Sequence, residues 1–152
     1  MKSFLKIKNI IGVAAVVSVV TLMGCASVDK MTSSMTSTVR GDEKLIGSQE
    51  VPAVMTNASG TANINVAADG SVSGSVRTSD IKSTMAHLHM GAAGQNGPVI
   101  VPLTKSGDNM YMVPAGSKLT AEQLAAYRMG SLYVNVHSEA HKGGEIRAQL
   151  KP

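Results

Sequence analysis

The side chains best suited to chemistry in this 152-residue chain are four histidines, His87, His89, His137 and His141. His87 and His89 form an H-x-H pair inside the run Met85-Ala86-His87-Leu88-His89-Met90. On a β-strand that spacing puts both imidazoles on one face, ~6.6 Å apart along the chain. Two imidazoles so placed can share a metal ion when a third ligand arrives from another strand. His137 ends the stripe Tyr133, Asn135, His137 on a later run and is the natural third ligand. An all-imidazole set suits copper or zinc. Met85 falls on the histidine face and offers a thioether of the kind that favours Cu(I), whereas Met90 falls on the opposite face of a regular strand. The plainer alternative has the three histidines buried and hydrogen-bonded, fixing a loop to the fold. Methionine is then a gap-filler in an aromatic-poor core. His141 reads as an exposed loop residue.

Other constellations are weaker. The single cysteine, Cys25, excludes an internal disulfide framework and a multi-Cys zinc site. Ser138 and Glu139 are only chain neighbours of His137, and a catalytic triad needs convergence in space. A non-enzymatic protein is therefore expected. Glu145 and Arg147 stand two apart on the closing strand. They are expected to form a structural salt-bridge network that pins the last hairpin, with Arg147 reaching Glu50. Aromatic residues make up only 3% of the chain, too few for a nucleic-acid stacking platform.

The elements that must position these residues are mostly strands. Ala62, Ile64 and Val66 alternate with polar residues, Asp69-Gly70 signals a turn, and Val72 and Val76 follow on a second strand, giving a hairpin. The H-x-H run is a third strand and Gly91 to Gly97 a loop. Val99 to Leu103 and Met110 to Val113 read as further strands. One helix is expected at about 120–129. Thr120 is its N-cap, Gln123 completes a capping box, Leu119 and Leu124 form a hydrophobic staple, and Gly130 ends it. Leu132–His137 and Glu145–Leu150 make a closing hairpin. It directs Ile146, Ala148 and Leu150 inward and Glu145, Arg147 and Gln149 outward. The pattern predicts an all-β fold, a Greek-key-like antiparallel β-sandwich of about six to eight strands with one short helix.

The N-terminal segment differs. Lys2, Lys6 and Lys8 precede the uncharged run Ile10–Met23, which leads into Gly24-Cys25. This is the build of an export signal over residues 1–24, and the run is short for a span of roughly 20 residues. Cleavage removes three of the 14 Lys+Arg and none of the 10 Asp+Glu, so the formal charge of +4 falls to about +1. The mature chain then has no electrostatic footprint for nucleic acid. Residues 25–40 are Ser/Thr-rich and read as a flexible tether, with the folded domain over 41–152.

Leu22-x-Gly24-Cys25 resembles the lipobox of bacterial lipoproteins. The resemblance implies a diacylglycerol on Cys25 and attachment to a membrane through it. No Asp follows Cys25, which implies the outer membrane, facing the periplasm, in a Gram-negative host. A second resemblance covers the domain. Gln49-Glu50-Val51-Pro52, Ala86-His87-Leu88-His89-x-Gly91, Gly97-Pro98-Val99, Leu119-Thr120-x-x-Gln123-Leu124, Gly130-x-Leu132-Tyr133-Val134-Asn135-Val136-His137 and Gly143-Gly144-Glu145-Ile146-Arg147-x-Gln149 occur in this order. Together they resemble the CHRD domain, named after chordin, whose members are often secreted or lipid-anchored bacterial proteins. Ala148 departs from the Gly usual before the final Gln, and His141-Lys142 from a common Asn-Pro. The resemblance implies a lipid-anchored envelope protein. It either binds copper or zinc through its histidines or serves as a metal-free structural module with an envelope protein as partner. The order H-x-H then V-x-H is also similar to copper/zinc superoxide dismutase. The bridging histidine and the zinc loop of that enzyme are missing from this sequence, so dismutation is not expected.

Overall fold

The computed structural model describes residues 42–152. The leader, Cys25 and the tether lie outside the described residues. Nine strands and one helix follow in order: β1 (Glu43–Ile46), β2 (Ser59–Val66), β3 (Val72–Ser79), β4 (Ser83–Met90), β5 (Val99–Pro102), β6 (Thr104–Gly107), β7 (Met110–Met112), α1 (Ala121–Arg128), β8 (Leu132–Ser138) and β9 (Ile146–Gln149). A 3-10 turn, Gly47–Gln49, follows β1. Every strand pairing is antiparallel, in the order β5-β4-β8-β9-β1-β2-β3-β7-β6.

The all-β antiparallel fold with one short helix stands as expected. The strands number nine, and they form one barrel-like sheet. The ends meet where β5 runs into β6. There the Leu103 N–H donates to the Ala86 carbonyl at 2.9 Å, and Lys105 Nζ donates to the Ser83 carbonyl at 2.8 Å. Curling a sheet on itself covers edges that would otherwise stay unpaired. Two of the nine strands gave no signal in the sequence. All four residues of β6 are exposed, so it lacks apolar alternation. In β1 only Leu45 is buried, so four residues carry a single inward position.

The interior is mostly aliphatic, with Tyr111 and Tyr127 added, and its strands follow the two-residue repeat. Ala62, Ile64 and Val66 of β2 face Val72 and Val76 of β3, and all are buried. Gly74 sits between these two valines at φ +129, opposite Ile64, where a Cβ would collide with the Asn63 carbonyl. Only glycine fits that approach. From the other wall come Ala86 and Leu88 of β4, Val134 and Val136 of β8, and Ile146 and Ala148 of β9. Fully burying a side chain such as Leu88 stabilises by roughly 1.5–3 kcal/mol.

Helix α1 begins as its sequence prescribes. Thr120 Oγ1 accepts from the Gln123 N–H at 3.2 Å, and the Thr120 N–H donates to Gln123 Oε1 at 2.9 Å. At the other end Gly130 adopts φ +70. Its N–H donates to the Tyr127 carbonyl and that of Ser131 to the Ala126 carbonyl, both at 2.8 Å. This reciprocal pair is a Schellman stop. The chain is thereby turned directly into β8, the strand on which the polar face of the barrel wall is built.

Thr120→Ala is expected to lower the unfolding free energy by about 1 kcal/mol, read as a fall in the urea midpoint at constant slope. An unmoved midpoint would mean that α1 is held by the packing of Leu119, Ala126 and Tyr127 alone.

Candidate metal centre

The wall formed by β4, β8 and β9 is two-sided. Its inner residues are the aliphatics named above. Its outer residues fall into register across the strands: Met85 opposite His137, His87 opposite Asn135, and His89 opposite Tyr133. On the far side of β8, Arg147 lies opposite Asn135 and Gln149 opposite Tyr133. Three stripes of the sequence therefore lie side by side as one polar plate. An outward face would ordinarily meet water, yet all seven residues of β8 are buried.

Loops roof the plate. Gly97 N–H donates to the Tyr133 hydroxyl at 3.2 Å, and Asn96 Nδ2 to the Val51 carbonyl at 2.6 Å. Gln149 Nε2 donates to the carbonyls of Gly91 and Gly130 at 2.9 and 2.8 Å. Thr56 Oγ1 donates to Glu145 Oε1 at 2.7 Å.

Beneath this roof His87, His89 and His137 converge, and one ring nitrogen from each lies within 4.8 Å of the others. His89 Nδ1 is 2.9 Å from the Gly97 carbonyl, and His137 Nδ1 is 2.9 Å from the Lys142 carbonyl. A carbonyl can only accept, so each Nδ1 carries a proton, which leaves Nε2 as the bare nitrogen of a neutral His89 ring. His89 Nε2 is buried without a hydrogen-bond partner. His137 Nε2 lies 3.0 Å from His87 Nδ1 and 3.0 Å from Asn135 Oδ1. Holding a ligand histidine by its remote N–H is how metal sites fix tautomer and ring orientation.

Electrostatics keep these rings neutral. Burial, with the neighbouring His137 and His89 adding to it, drops the pKa of His87 to about 4. Burial also lowers His89 and His137, each partly opposed by its bond to a carbonyl. Near neutral pH the three rings are thus uncharged.

Asn135 was not singled out by the sequence, although the Y-x-N-x-H stripe already placed it on the His137 face. Its amide links the cluster to a buried carboxylate behind it. A Cβ at Gly144, which sits at φ +130, would collide with Glu50 Oε1 and lie 2.7 Å from Asn135 Nδ2. Glycine there lets Glu50 and Asn135 come together. Burial raises the Glu50 pKa, with the Arg147 charge acting against it.

The expected salt-bridge network of Glu145, Arg147 and Glu50 does not form. Among the described residues no carboxylate forms an ion pair with Arg147 within 4 Å. Glu145 is taken by Thr56. The Arg147 guanidinium instead sits 3.4 Å over the Tyr133 ring and donates to the Ala92 carbonyl and Gln149 Oε1, both at 3.1 Å. The register is the reason: Arg147 is opposite Asn135 and beside Tyr133, so its nearest surface is an aromatic face. Tyr133 stacks in turn on His89, with centroids 4.7 Å apart and planes 7° from parallel. The cation, the phenol and the imidazole form one continuous stack.

The remaining candidates divide cleanly. Met85 stands at the rim, 47% exposed. Met90 packs against the core. His141 is half-buried in its loop and does not join the cluster.

The CHRD domain family model matches residues 42–150. The chain belongs to the CHRD domain family. No curated protein and no solved structure matches it, so the likeness to copper/zinc superoxide dismutase finds no support there. The motifs that carry the CHRD resemblance are the parts of the plate and its roof. H-x-H and YVNVH supply the histidines, GGEIRxQ supplies Gly144, Arg147 and Gln149, and QEVP supplies Glu50.

The depressed histidines make the metal-free CHRD domain acid-sensitive. The unfolded chain takes up protons below the ordinary value of 6.5, while folded His87 resists to about 4. Stability is therefore complete above the unfolded value and lost as pH falls through this window. The urea midpoint is expected to be lower at about pH 5 than at about pH 7.5, with a smaller drop in His87→Gln. Glu50 is common to both proteins and its opposite trend cancels. An equal drop in the two would remove His87 as a cause.

Proposed function

We propose that this protein is a non-enzymatic, lipid-anchored envelope CHRD protein that holds a copper or zinc ion through His87, His89 and His137. The observation that carries the metal reading is the convergence of His87, His89 and His137, one ring nitrogen of each within 4.8 Å of the others, with His89 Nε2 buried and without a hydrogen-bond partner. Leaving a buried acceptor unsatisfied costs about 1–3 kcal/mol. Glu50 Oε1, Thr78 Oγ1 and the Tyr111 hydroxyl are likewise without hydrogen-bond partners. Only His89 Nε2 belongs to a cluster of three imidazoles, two of them fixed at Nδ1 by backbone carbonyls, and that combination favours something that binds lone pairs. In the competing reading the histidines only pin loops. That explains the two Nδ1 bonds and leaves His89 Nε2 without a role.

Copper and zinc both accept imidazole. His89 and His137 would hold the ion through Nε2, and His87 through the ring nitrogen that faces them. Asn135 and the carbonyls of Gly97 and Lys142 would orient the ligands. The lipid anchor is supported by the leader and Leu22-x-Gly24-Cys25, which would place the domain at a membrane surface in the cell envelope.

The full chain, purified in detergent, is expected to bind copper or zinc stoichiometrically. A His87→Ala/His89→Ala variant is expected to lose that binding, as read by metal analysis after dialysis. Equal metal content in both proteins would sink the reading. Copper-loaded protein is expected not to consume superoxide, and turnover would restore the enzyme hypothesis. For the anchor, Cys25→Ser is expected to move the protein from the membrane to the soluble fraction and abolish incorporation of labelled fatty acid. Unchanged fractionation would refute lipidation at Cys25.

A further inference from the structure

The chemistry around the cluster narrows the ion. Resting on the metal reading above, we propose that the bound ion is Cu(I) and that Met85 supplies an outward thioether ligand, making this a centre that exchanges copper with a partner.

Met85 stands directly across the β4–β8 ladder from His137, on the outer face it shares with His87 and His89. Directly opposed side chains have Cβ atoms ~4.5–5.5 Å apart, a gap that an unbranched methionine spans easily. The ladder is irregular between Ser83 and Met85. The strand pair loosens there, and the thioether is left half-exposed while His89 and His137 are buried. Met90, at the other end of the same strand, turns to the core instead. The cluster therefore has a closed side of imidazoles and an open side at Met85.

Charge points the same way. Among the described residues no Asp, Glu or Cys joins the three histidines. Glu50 is held behind Asn135, and Glu145 is bonded to Thr56. Imidazole and thioether donors are neutral, so nothing in the ligand set offsets the charge of the ion. The cost of burying an ion grows steeply with its charge, which favours a monovalent ion over a divalent one. The buried Arg147 cation, one aromatic ring away from His89, adds to that bias. Thioether softness selects Cu(I) among the ions that also accept imidazole.

Exchange follows from the open side. A donor thiolate or thioether from a partner approaches at Met85 and substitutes for it. One copper–sulfur bond forms as another breaks, copper stays monovalent, and no electron moves. The histidines, held from behind by backbone carbonyls, stay in place.

The test uses the full chain in detergent under anaerobic, reducing conditions. Cu(I) affinity is read by competition with bicinchoninate, and Zn(II) affinity by competition with a chromophoric zinc chelator. Met85→Leu, conservative in volume at a half-exposed position, is expected to weaken Cu(I) binding about tenfold or more and to leave Zn(II) binding unchanged. X-ray absorption of the Cu(I) form is expected to show a copper–sulfur shell that the variant lacks. An unchanged Cu(I) affinity and sulfur shell in Met85→Leu would overturn this inference while leaving a histidine metal site intact. Failure of the unsubstituted chain to bind either ion would overturn the metal reading itself.

Discussion

Strand β8 is buried on both faces, and its outward side carries Tyr133, Asn135 and His137. Polar atoms withdrawn from water must be given partners or they cost free energy. The partners come from three directions. Neighbouring strands offer His87, His89 and Arg147. The 91–97 loop offers the Gly97 carbonyl and N–H, and the closing loop offers the Lys142 carbonyl. The roof over the plate is thus a consequence of its polarity. Loops that would otherwise lie open to solvent are tied down because the face beneath them is rich in hydrogen-bonding groups. Inside the barrel the same strands need no such help, since Ala86, Leu88, Val134 and Val136 only exclude water.

The charged groups obey the same constraint at one remove. Arg147 is buried, and a buried guanidinium usually recruits a carboxylate. Here it rests on the face of Tyr133, whose quadrupole attracts a cation without adding a second buried charge. Glu50 feels Arg147 through space only, and its own burial outweighs that attraction. Tyr133 stands between Arg147 and His89, and Asn135 between Glu50 and the cluster, so neither charge touches the histidines, although the Arg147 charge adds to the lowering of His89. The result is a neutral cluster flanked by charge, with His89 Nε2 left without a partner.

Much of this was legible in the sequence, and the physics says which parts. Period-two alternation revealed β2, β3, β4, β8 and β9, and with them the two faces of the wall. Gathering His87, His89 and His137 followed from alternation once β4 and β8 were neighbours. The capping box of α1 needed only local chemistry. What stayed hidden was non-local. The pairing of β4 with β8 and of β8 with β9 sets which outward residues meet, and no local pattern encodes it. That is why Arg147 was assigned to Glu50 instead of Tyr133, and why Asn135 passed as an ordinary strand residue. β6 was invisible because an exposed strand of Thr, Lys, Ser and Gly carries no apolar period. The way the sheet curls on itself depends on contacts between the Leu103–Lys105 segment and β4 that only the folded chain brings about.

The two departures from the usual CHRD pattern show how the plate tolerates change. Lys142 contributes its backbone carbonyl to His137, and its side chain is exposed. A proline carbonyl at that position would be an equally good acceptor, since proline lacks only the N–H. The loop can therefore exchange Asn-Pro for His-Lys without disturbing the His137 tautomer, and His141 needs no place in the cluster. Ala148 points the opposite way, into the barrel, where it is 1% exposed. A methyl group there adds apolar contact to the core and leaves the outward neighbours Arg147 and Gln149 in register with Asn135 and Tyr133. Both changes fall where the backbone, or the inner face, does the work. By contrast, the positions whose side chains meet on the outer face bring imidazole, amide, guanidinium and phenol groups together. Gly144 behind them bears no side chain, because any Cβ would push Glu50 away from Asn135.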